Sequence, residues 1–239
     1  AQGDDPYAVF ERLCRDSPAP HAAYFRLDEA HVILTNSPER FVSVRDGRVE
    51  ARPIKGTRRR SNNAVDDAAL AAELADSSKD RADNLMVVVL MRSDLSRVCA
   101  SGSVHVPVLC AVETYANVHH LVSVIEGELD AERDVFDLVA ASFPPGSITG
   151  APKVRAMQII AELEGESRGP YCGALGWISE AGDMDLNVMI RTAAMHREGN
   201  VWHATIRSGG GIIADSDPQA EYEETVTKAS ALRRAVEGS

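Results

Sequence analysis

Residues 41–54 read FVSVRDGRVEARPI, and this stretch predicts the fold class. Apolar and polar residues alternate on both sides of Asp46 and Gly47, which is the period of a strand with one buried face. An Asp-Gly pair favours the positive φ angles of a two-residue hairpin turn. The stretch is therefore expected to form two neighbouring antiparallel strands.

Further strand-like runs lie on both sides of this hairpin. They are AAYFRL (22–27), HVILTN (31–36), GSVHVPV (102–108), ANVHHLVSVIEGEL (116–129), YCGALGWIS (171–179), DLNVMIRTAAM (185–195) and VWHATIRS (201–208). The turn-forming sequences EAGDM and HREGN join the last three runs. Those three runs therefore predict a meander.

Apolar residues at helical spacing predict helices in the remaining segments. These helices are expected at about 6–15, 65–90 with a possible restart at Ser77 or Ser78, 134–143 with Asp134 as N-cap, 152–164 with Pro152 at the first position, and 218–236. Helices and strands come in separate runs rather than in strict βαβ alternation, which favours an α+β class with antiparallel sheet.

Composition excludes several classes of protein. The chain has 239 residues with 25 Lys and Arg against 36 Asp and Glu, and a net charge of −11 disfavours binding to a nucleic-acid backbone. The longest apolar run, at 85–91, is too short to span a membrane. The four cysteines are far apart and predict neither a zinc site nor a disulfide framework. A reducing, cytoplasmic location is expected.

Two pairs of carboxylates stand at helical i,i+3 spacing. Glu221 and Glu224 share a helix face with Lys228, and a glycine run at 209–211 precedes that helix. Asp80 and Asp83 lie near the start of another expected helix. Each pair can be explained as an ordinary helix surface, but two pairs facing each other would offer the oxygen ligands that Mg²⁺ prefers.

Two other segments suggest contacts with a small anion. The basic stretch 52–60 resembles a nucleic-acid patch, but the negative net charge makes a small anionic ligand the better explanation. The segment GSITGAPK (146–153) lacks Walker spacing and is interpreted as the N-terminus of a helix. His119 and His120 are adjacent in an expected strand, so they point to opposite faces and one of them is expected to be buried.

Eight motifs occur in the order found in the chorismate-utilising enzymes, and the chain resembles that family over nearly its whole length. The motifs are SPERF (37–41), PIKGT (53–57), KDRADN (79–84), HLVS (120–123), GSITGAPK (146–153), IRT (190–192), GGGI (209–212) and EYEET (221–225). The resemblance implies antiparallel sheets packed as a sandwich with helices outside, as in anthranilate synthase component I. It also implies one chorismate-binding catalytic domain over 1–239, equivalent to the C-terminal half of the family's members.

The resemblance further implies a Mg²⁺ site and a substrate site. Asp83 and Glu224 would be the principal metal ligands, with Asp80 and Glu221 in the same shell or reaching the metal through water. The metal would hold the ring carboxylate of chorismate. Residues implied to contact the two substrate carboxylates are Gly56, Thr57, Tyr171, Arg191, Gly209 and Lys228.

The catalytic residues follow from the same resemblance. His120 and Thr149 would lie at the ring, and Glu39 would be a buried general acid for loss of the C4 hydroxyl. Lys55 in PIKGT resembles the branch that makes 4-amino-4-deoxychorismate for p-aminobenzoate and folate, and would attack ring C2 before ammonia adds at C4. That attack needs a neutral amine, which the adjacent basic residues of 52–60 are expected to favour.

The implied partners are chorismate, ammonia and a separate glutaminase subunit, with neither nucleic acid nor membrane. Two alternatives stay open. One is a sister activity that forms anthranilate, isochorismate or salicylate. The other is a non-catalytic remnant that binds a chorismate-like ligand or a glutaminase partner. It is favoured by the missing N-terminal portion and by Asp83 standing where the family has the longer glutamate.

Overall fold

A computed structural model of the chain describes residues 5–213 and 216–238. Its helices are α1 (Pro6–Asp16), α2 (Ala64–Asp76), α3 (Ser78–Leu95), α4 (Val135–Ser142), α5 (Lys153–Glu164) and α6 (Pro218–Glu237), with a 3₁₀ turn at Gly146–Ile148. Ser77, Asp134 and Asp217 cap α3, α4 and α6 through side-chain oxygens, because the first N–H groups of a helix have no partner within it.

Eleven strands form two sheets within the described residues. The strands are β1 (His21–Arg26), β2 (His31–Ser37), β3 (Arg40–Arg45), β4 (Arg48–Ala51), β5 (Ile54–Arg59), β6 (His105–Thr114), β7 (Val118–Glu128), β8 (Ala174–Ile178), β9 (Met184–Val188), β10 (Thr192–Glu198) and β11 (Val201–Ile206). One sheet has the order β1-β2-β10-β11, and the other has the order β5-β7-β4-β3-β9-β8 with β6 also paired to β7.

The hairpin predicted from residues 41–54 is confirmed. Strands β3 and β4 pair antiparallel, with Arg45 opposite Arg48. Asp46 and Gly47 take φ angles of 49° and 75° in the turn. The pairs β1–β2, β2–β10, β10–β11, β4–β7, β5–β7 and β6–β7 are antiparallel as well, so the α+β class with antiparallel sheets is confirmed.

The described residues divide into two compact units. The first unit comprises 5–39, 167–175, 187–213 and 216–238 and contains α1, α6 and the four-stranded sheet. In it, one face of that sheet packs against both helices through a core that includes Leu13 of α1, Leu34 of β2, Met195 of β10 and Leu232 of α6. Burying such side chains contributes about 1.5–3 kcal/mol each.

The second unit comprises 40–166 and 176–186 and contains β3 to β7 and α2 to α5. Strand β7 is central to it, because β6 pairs along one edge while β4 and β5 pair along the other. A small core of Leu74, Cys110 and Leu121 joins α2 to β6 and β7. No helix among the described residues is both long enough and apolar enough to cross a membrane.

The predicted meander is wrong in one respect. The run DLNVMIRTAAM forms two strands, β9 and β10, which belong to different sheets. Arg191 lies between them with a φ of 51°, a left-handed conformation that a strand does not use. The run contains no proline, glycine or other turn sequence at this break, so the pattern alone could not reveal it.

Helix α5 differs from expectation at its start and on its apolar face. Pro152 is the N-cap rather than the first helical residue. The apolar residues at helical spacing do form a helix, but none of its residues is buried, and Val154 and Leu163 are 70% and 81% exposed. Side-chain burial therefore does not anchor α5.

Candidate active site

Strand β5 carries the predicted residues Lys55, Gly56 and Thr57. The Lys55 Nζ donates a hydrogen bond to the carbonyl oxygen of Ser147 at 3.0 Å. Gly56 has a φ of 78°, and a Cβ there would lie 2.8 Å from the Asp80 Cγ, so only glycine fits. The strand is thereby held close to α3 with the Lys55 amine directed at the loop that follows α4.

Both adjacent histidines of β7 are buried, which corrects the expectation that one of them is. His120 Nδ1 lies 2.8 Å from Thr57 Oγ1 on β5. His119 Nε2 lies 3.0 Å from an Asp67 oxygen, and its Nδ1 lies 2.9 Å from Thr114 Oγ1. Burial on both sides of β7 is possible because each imidazole has polar partners.

The first carboxylate pair lies in the first two turns of α3. The side chain of Asp80 is 18% exposed and accepts a hydrogen bond from Arg58 at 3.2 Å. Asp83 follows one turn later and is partly buried. Asn84, fully buried, accepts a hydrogen bond from the Ser123 hydroxyl and donates to the Leu121 carbonyl, so the helix is fixed to β7 beside His120.

The GSITGAPK segment forms the loop and 3₁₀ turn between α4 and α5. Thr149 donates from its hydroxyl to the Pro145 carbonyl at 3.0 Å. Lys153, the first residue of α5, donates to Asp94 and to the Ser142 carbonyl. The turn is therefore held by side chains at its centre and at its end.

In the first unit, Glu39 and Arg191 occupy constrained positions. Glu39 is 7% exposed, as its expected role requires, and its backbone N–H donates to the Ser37 hydroxyl. Burial lowers the pKa of the Arg191 guanidinium. The backbone at Arg191 is left-handed, and its carbonyl accepts a hydrogen bond from the Asn36 N–H at 3.0 Å. Backbone strain at a partly buried cation is a feature of ligand-binding positions.

Four more predicted residues lie together in the first unit. Lys228 forms an ion pair with Glu224 at 2.7 Å and reaches the Gly209 carbonyl at 3.5 Å. A Cβ at Gly209 would lie 3.1 Å from the Tyr171 hydroxyl oxygen. Gly209 therefore lies close to both the Tyr171 hydroxyl and the Lys228 ammonium of α6.

The remaining carboxylate, Glu221, is 7% exposed and accepts a hydrogen bond from the Ser216 hydroxyl at 2.7 Å. A Cβ at Gly210 would lie 3.0 Å from the other carboxylate oxygen of Glu221. A buried carboxylate one turn from the exposed Glu224 contrasts with an ordinary helix surface, on which both would be solvated.

The structure thus assembles seven predicted residues in each unit. Lys55, Gly56, Thr57, Asp80, Asp83, His120 and Thr149 belong to the second unit, and Glu39, Tyr171, Arg191, Gly209, Glu221, Glu224 and Lys228 belong to the first. Among residues 5–213 and 216–238, no three His, Cys, Asp or Glu side chains are arranged to hold a metal ion. Mg²⁺ commonly takes only one or two protein carboxylates together with water and substrate oxygens, so each i,i+3 pair has the donor chemistry that it requires.

Several contacts of these residues were not found from sequence. Two arginines of the basic stretch have acidic partners: Arg52 donates to Glu113 at 2.6 Å, and Arg58 donates to Glu73 and Asp80. The Ser147 carbonyl is a backbone group, so no side-chain pattern marks it. No signal in the sequence indicates these long-range partners.

The fold and these side chains define an α+β protein that presents carboxylates, cations and an amine on its helices and strands. Residues 1–234 match the family described as chorismate binding enzyme, and the chain belongs to that family.

Individual relatives extend this assignment. The chain is 47% identical to aminodeoxychorismate synthase component 1 of Klebsiella aerogenes, covering 98% of this chain and 51% of that protein. It is 45% identical to anthranilate synthase component 1 of Aquifex aeolicus, covering 98% and 46%. The crystal structure of anthranilate synthase component I from Streptococcus pneumoniae TIGR4 superposes with a TM-score of 0.83 at 37% identity, covering 96% and 50%. The chain spans about half the length of the proteins it matches.

Proposed function

We propose that this chain catalyses the amination of chorismate with ammonia to 4-amino-4-deoxychorismate, the precursor of p-aminobenzoate in folate synthesis. One observation carries the proposal: Lys55, in PIKGT, is a partly buried amine held at a carbonyl oxygen in a member of the chorismate binding enzyme family. Relatives named aminodeoxychorismate synthase support the same branch.

The proposed reaction has two displacement steps. The Lys55 Nζ, as a neutral amine, bonds to ring C2 while the C4–O bond breaks, and Glu39 gives the departing hydroxyl a proton so that it leaves as water. Ammonia then bonds to C4 and the C2–N bond breaks, which regenerates the neutral Lys55 amine. The proton lost from the new C4 ammonium restores the Glu39 acid by way of solvent. Burial of Glu39 suits it to hold a proton until the C–O bond breaks.

Recognition of the substrate is proposed to use its two carboxylates. A guanidinium in a partly buried position, as at Arg191, binds a carboxylate bidentately. The ammonium of Lys228 and the backbone N–H groups of Gly56 and Gly209 supply further donors. Thr57 and Tyr171 contribute hydroxyl groups, and His120 and Thr149 would lie along the ring.

We further propose a Mg²⁺ requirement, with Asp83 and Glu224 as principal ligands and Asp80 and Glu221 as supporting carboxylates. Bound Mg²⁺ would hold the ring carboxylate in place. The chemistry of the two carboxylate pairs supports this assignment. Arg58 and Lys228 now neutralise Asp80 and Glu224, so binding of a cation requires both ion pairs to rearrange.

The source of ammonia is proposed to be a separate glutaminase subunit, since relatives are named component 1. The cytoplasm is the proposed location, because all four cysteines are unpaired thiols, as a reducing compartment favours.

Product analysis tests the proposed function directly. The chain is incubated with chorismate, Mg²⁺ and an ammonium salt, and the products are separated by chromatography. We expect 4-amino-4-deoxychorismate, and no turnover when glutamine replaces ammonium. If the product is anthranilate, isochorismate or salicylate, the chain has the corresponding sister activity instead. Binding of chorismate without any product would identify a non-catalytic chorismate-binding protein.

A further inference from the structure

The loop between α4 and α5, residues 143–152, controls the surroundings of Lys55. Its Ser147 carbonyl accepts the hydrogen bond from the Lys55 Nζ at 3.0 Å. A lysine side chain has four rotatable bonds, so the position of this acceptor selects where the amine points. Any group that fixes the loop therefore acts on the amine.

Lys153 connects both ends of this loop. It is the first residue of α5, and its Nζ donates at 2.7 Å to the carbonyl of Ser142, the last residue of α4. The same Nζ donates at 2.6 Å to an Asp94 oxygen on α3. One ammonium group thus closes the loop and attaches it to a neighbouring helix.

This ion pair is largely buried. The side chains of Lys153 and Asp94 are only 14% and 11% exposed, and burial raises the pKa of the Asp94 carboxyl. The loop itself packs tightly on α3, because a Cβ at Gly146 would lie 3.0 Å from a Leu90 methyl carbon. Loss of one buried partner would leave the other charge without compensation.

Apolar packing of the rest of α5 adds little to this anchor. Apart from Lys153, the side chains of this helix are exposed or only partly buried. Thr149 bonds to Pro145 inside the loop and does not tie it to another element. The contacts of Lys153 form a polar connection between the loop ends and α3.

We propose that Lys153 is a positioning residue for Lys55: by binding Asp94 and the Ser142 carbonyl, it sets the loop conformation in which Ser147 receives the Lys55 amine. The catalytic meaning of this arrangement rests on the proposed function, but the placement of the amine does not. A charged residue at a helix start is ordinarily a surface feature, and here it acts through the backbone of a ten-residue loop.

Acetylation by acetic anhydride reports how reactive the Lys55 amine is in its position, and this measurement needs no turnover. The chain contains four lysines, Lys55, Lys79, Lys153 and Lys228, so peptide mass spectrometry follows each one separately, and exposed Lys79 is the internal reference. In Lys153→Met, we expect acetylation of Lys55 relative to Lys79 to rise about three- to tenfold, the factor for losing one hydrogen bond. In the matched surface variant Lys79→Met, Lys228 is the internal reference, and the acetylation of Lys55 should not change.

A second variant covers the case in which Lys153→Met does not fold. Lys153→Met/Asp94→Leu removes both buried charges, which is often tolerated, and should show the same rise in Lys55 labelling. An unchanged labelling ratio in a folded variant would overturn the proposal. If the unmodified chain shows turnover, Lys153→Met should lower kcat by a larger factor than it changes KM. Absence of product from the unmodified chain would defeat the proposed function while leaving the labelling result valid.

Discussion

The guanidinium of Arg58 lies 3.2 Å from the carboxylate of Asp80, so a residue of β5 neutralises one member of the carboxylate pair on α3. Gly56, two residues earlier on the same strand, allows this approach because it has no Cβ. The strand that carries Lys55 is therefore coupled to the helix that carries two predicted metal ligands.

This coupling predicts competition between Arg58 and Mg²⁺. In Arg58→Gln, Asp80 loses a cation, and the affinity for Mg²⁺ in the presence of chorismate should rise about two- to fivefold, since a partly exposed ion pair contributes up to about 1 kcal/mol. Isothermal titration calorimetry measures the change. Arg92→Gln, an exposed site on α3, is the control, and equal affinities for both variants would contradict the prediction.

Glu224 should be essential for turnover although half of its side chain is exposed. Glu224→Gln removes a proposed metal ligand and should reduce kcat at least about 100-fold, because metal binding contributes several kcal/mol to such reactions. The melting temperature should stay nearly constant. Glu223→Gln, one residue away, should retain activity, and an active Glu224→Gln would support an ordinary helix surface.

Lys55 should form a covalent adduct with the substrate. Lys55→Ala removes activity whether the amine is a nucleophile or only a cation, so loss of activity does not distinguish the roles. With chorismate and Mg²⁺ but no ammonia, the intact mass should increase by chorismate minus water, on the peptide containing PIKGT. Ammonium should reverse the increase. Product formation without any adduct under single-turnover conditions would assign Lys55 an electrostatic role.

Buried Asn84 should stabilise the second unit. Asn84→Ala leaves the Ser123 hydroxyl and the Leu121 carbonyl without their partner, which should cost about 1–3 kcal/mol in the free energy of unfolding. Urea denaturation monitored by circular dichroism measures the change. Asn62→Ala, at an exposed position, should alter stability by less than about 0.5 kcal/mol. Similar midpoints for the two variants would show that the network contributes little.

Asp67 should confer stability that is lost in acid. Hydrogen bonds from Arg60, the Ser61 N–H and His119 hold the pKa of its carboxyl well below the usual range. A lowered folded-state pKa stabilises the protein above the unfolded-state value of about 3.9, and this contribution disappears as the pH falls further. Asp67→Asn should thus have a lower urea midpoint than the unmodified chain at pH 7. This difference between the two midpoints should become smaller below about pH 4.

The control for this pH dependence is Asp66→Asn, which removes the adjacent and exposed carboxylate. Its urea midpoint relative to the unmodified chain should change little between neutral and acidic pH. If the urea midpoints of Asp67→Asn and of the unmodified chain instead differ by the same amount from pH 7 to pH 3, the pairing of the Asp67 carboxylate does not depend on its charge.

Sequence determined the features whose hydrogen bonds close within a few residues. The Asp46-Gly47 turn and the Asp134 cap formed where expected, and Ser77 rather than Ser78 caps α3, because each satisfies backbone groups two or three positions away. The ordered motifs likewise identified the family, which the match over residues 1–234 confirms. The roles of the individual site residues stay predictions.

Only the tertiary structure decided which distant groups meet. Arg191 separates β9 from β10 in a left-handed conformation, Arg58 binds Asp80, and Lys153 binds Asp94 fifty-nine positions away. None of these contacts has a sequence period, because each depends on how helices and sheet strands pack in space. Periodicity reports which face of an element is apolar, whereas the partner of a buried charge is selected by three-dimensional proximity and by the cost of leaving that charge unpaired.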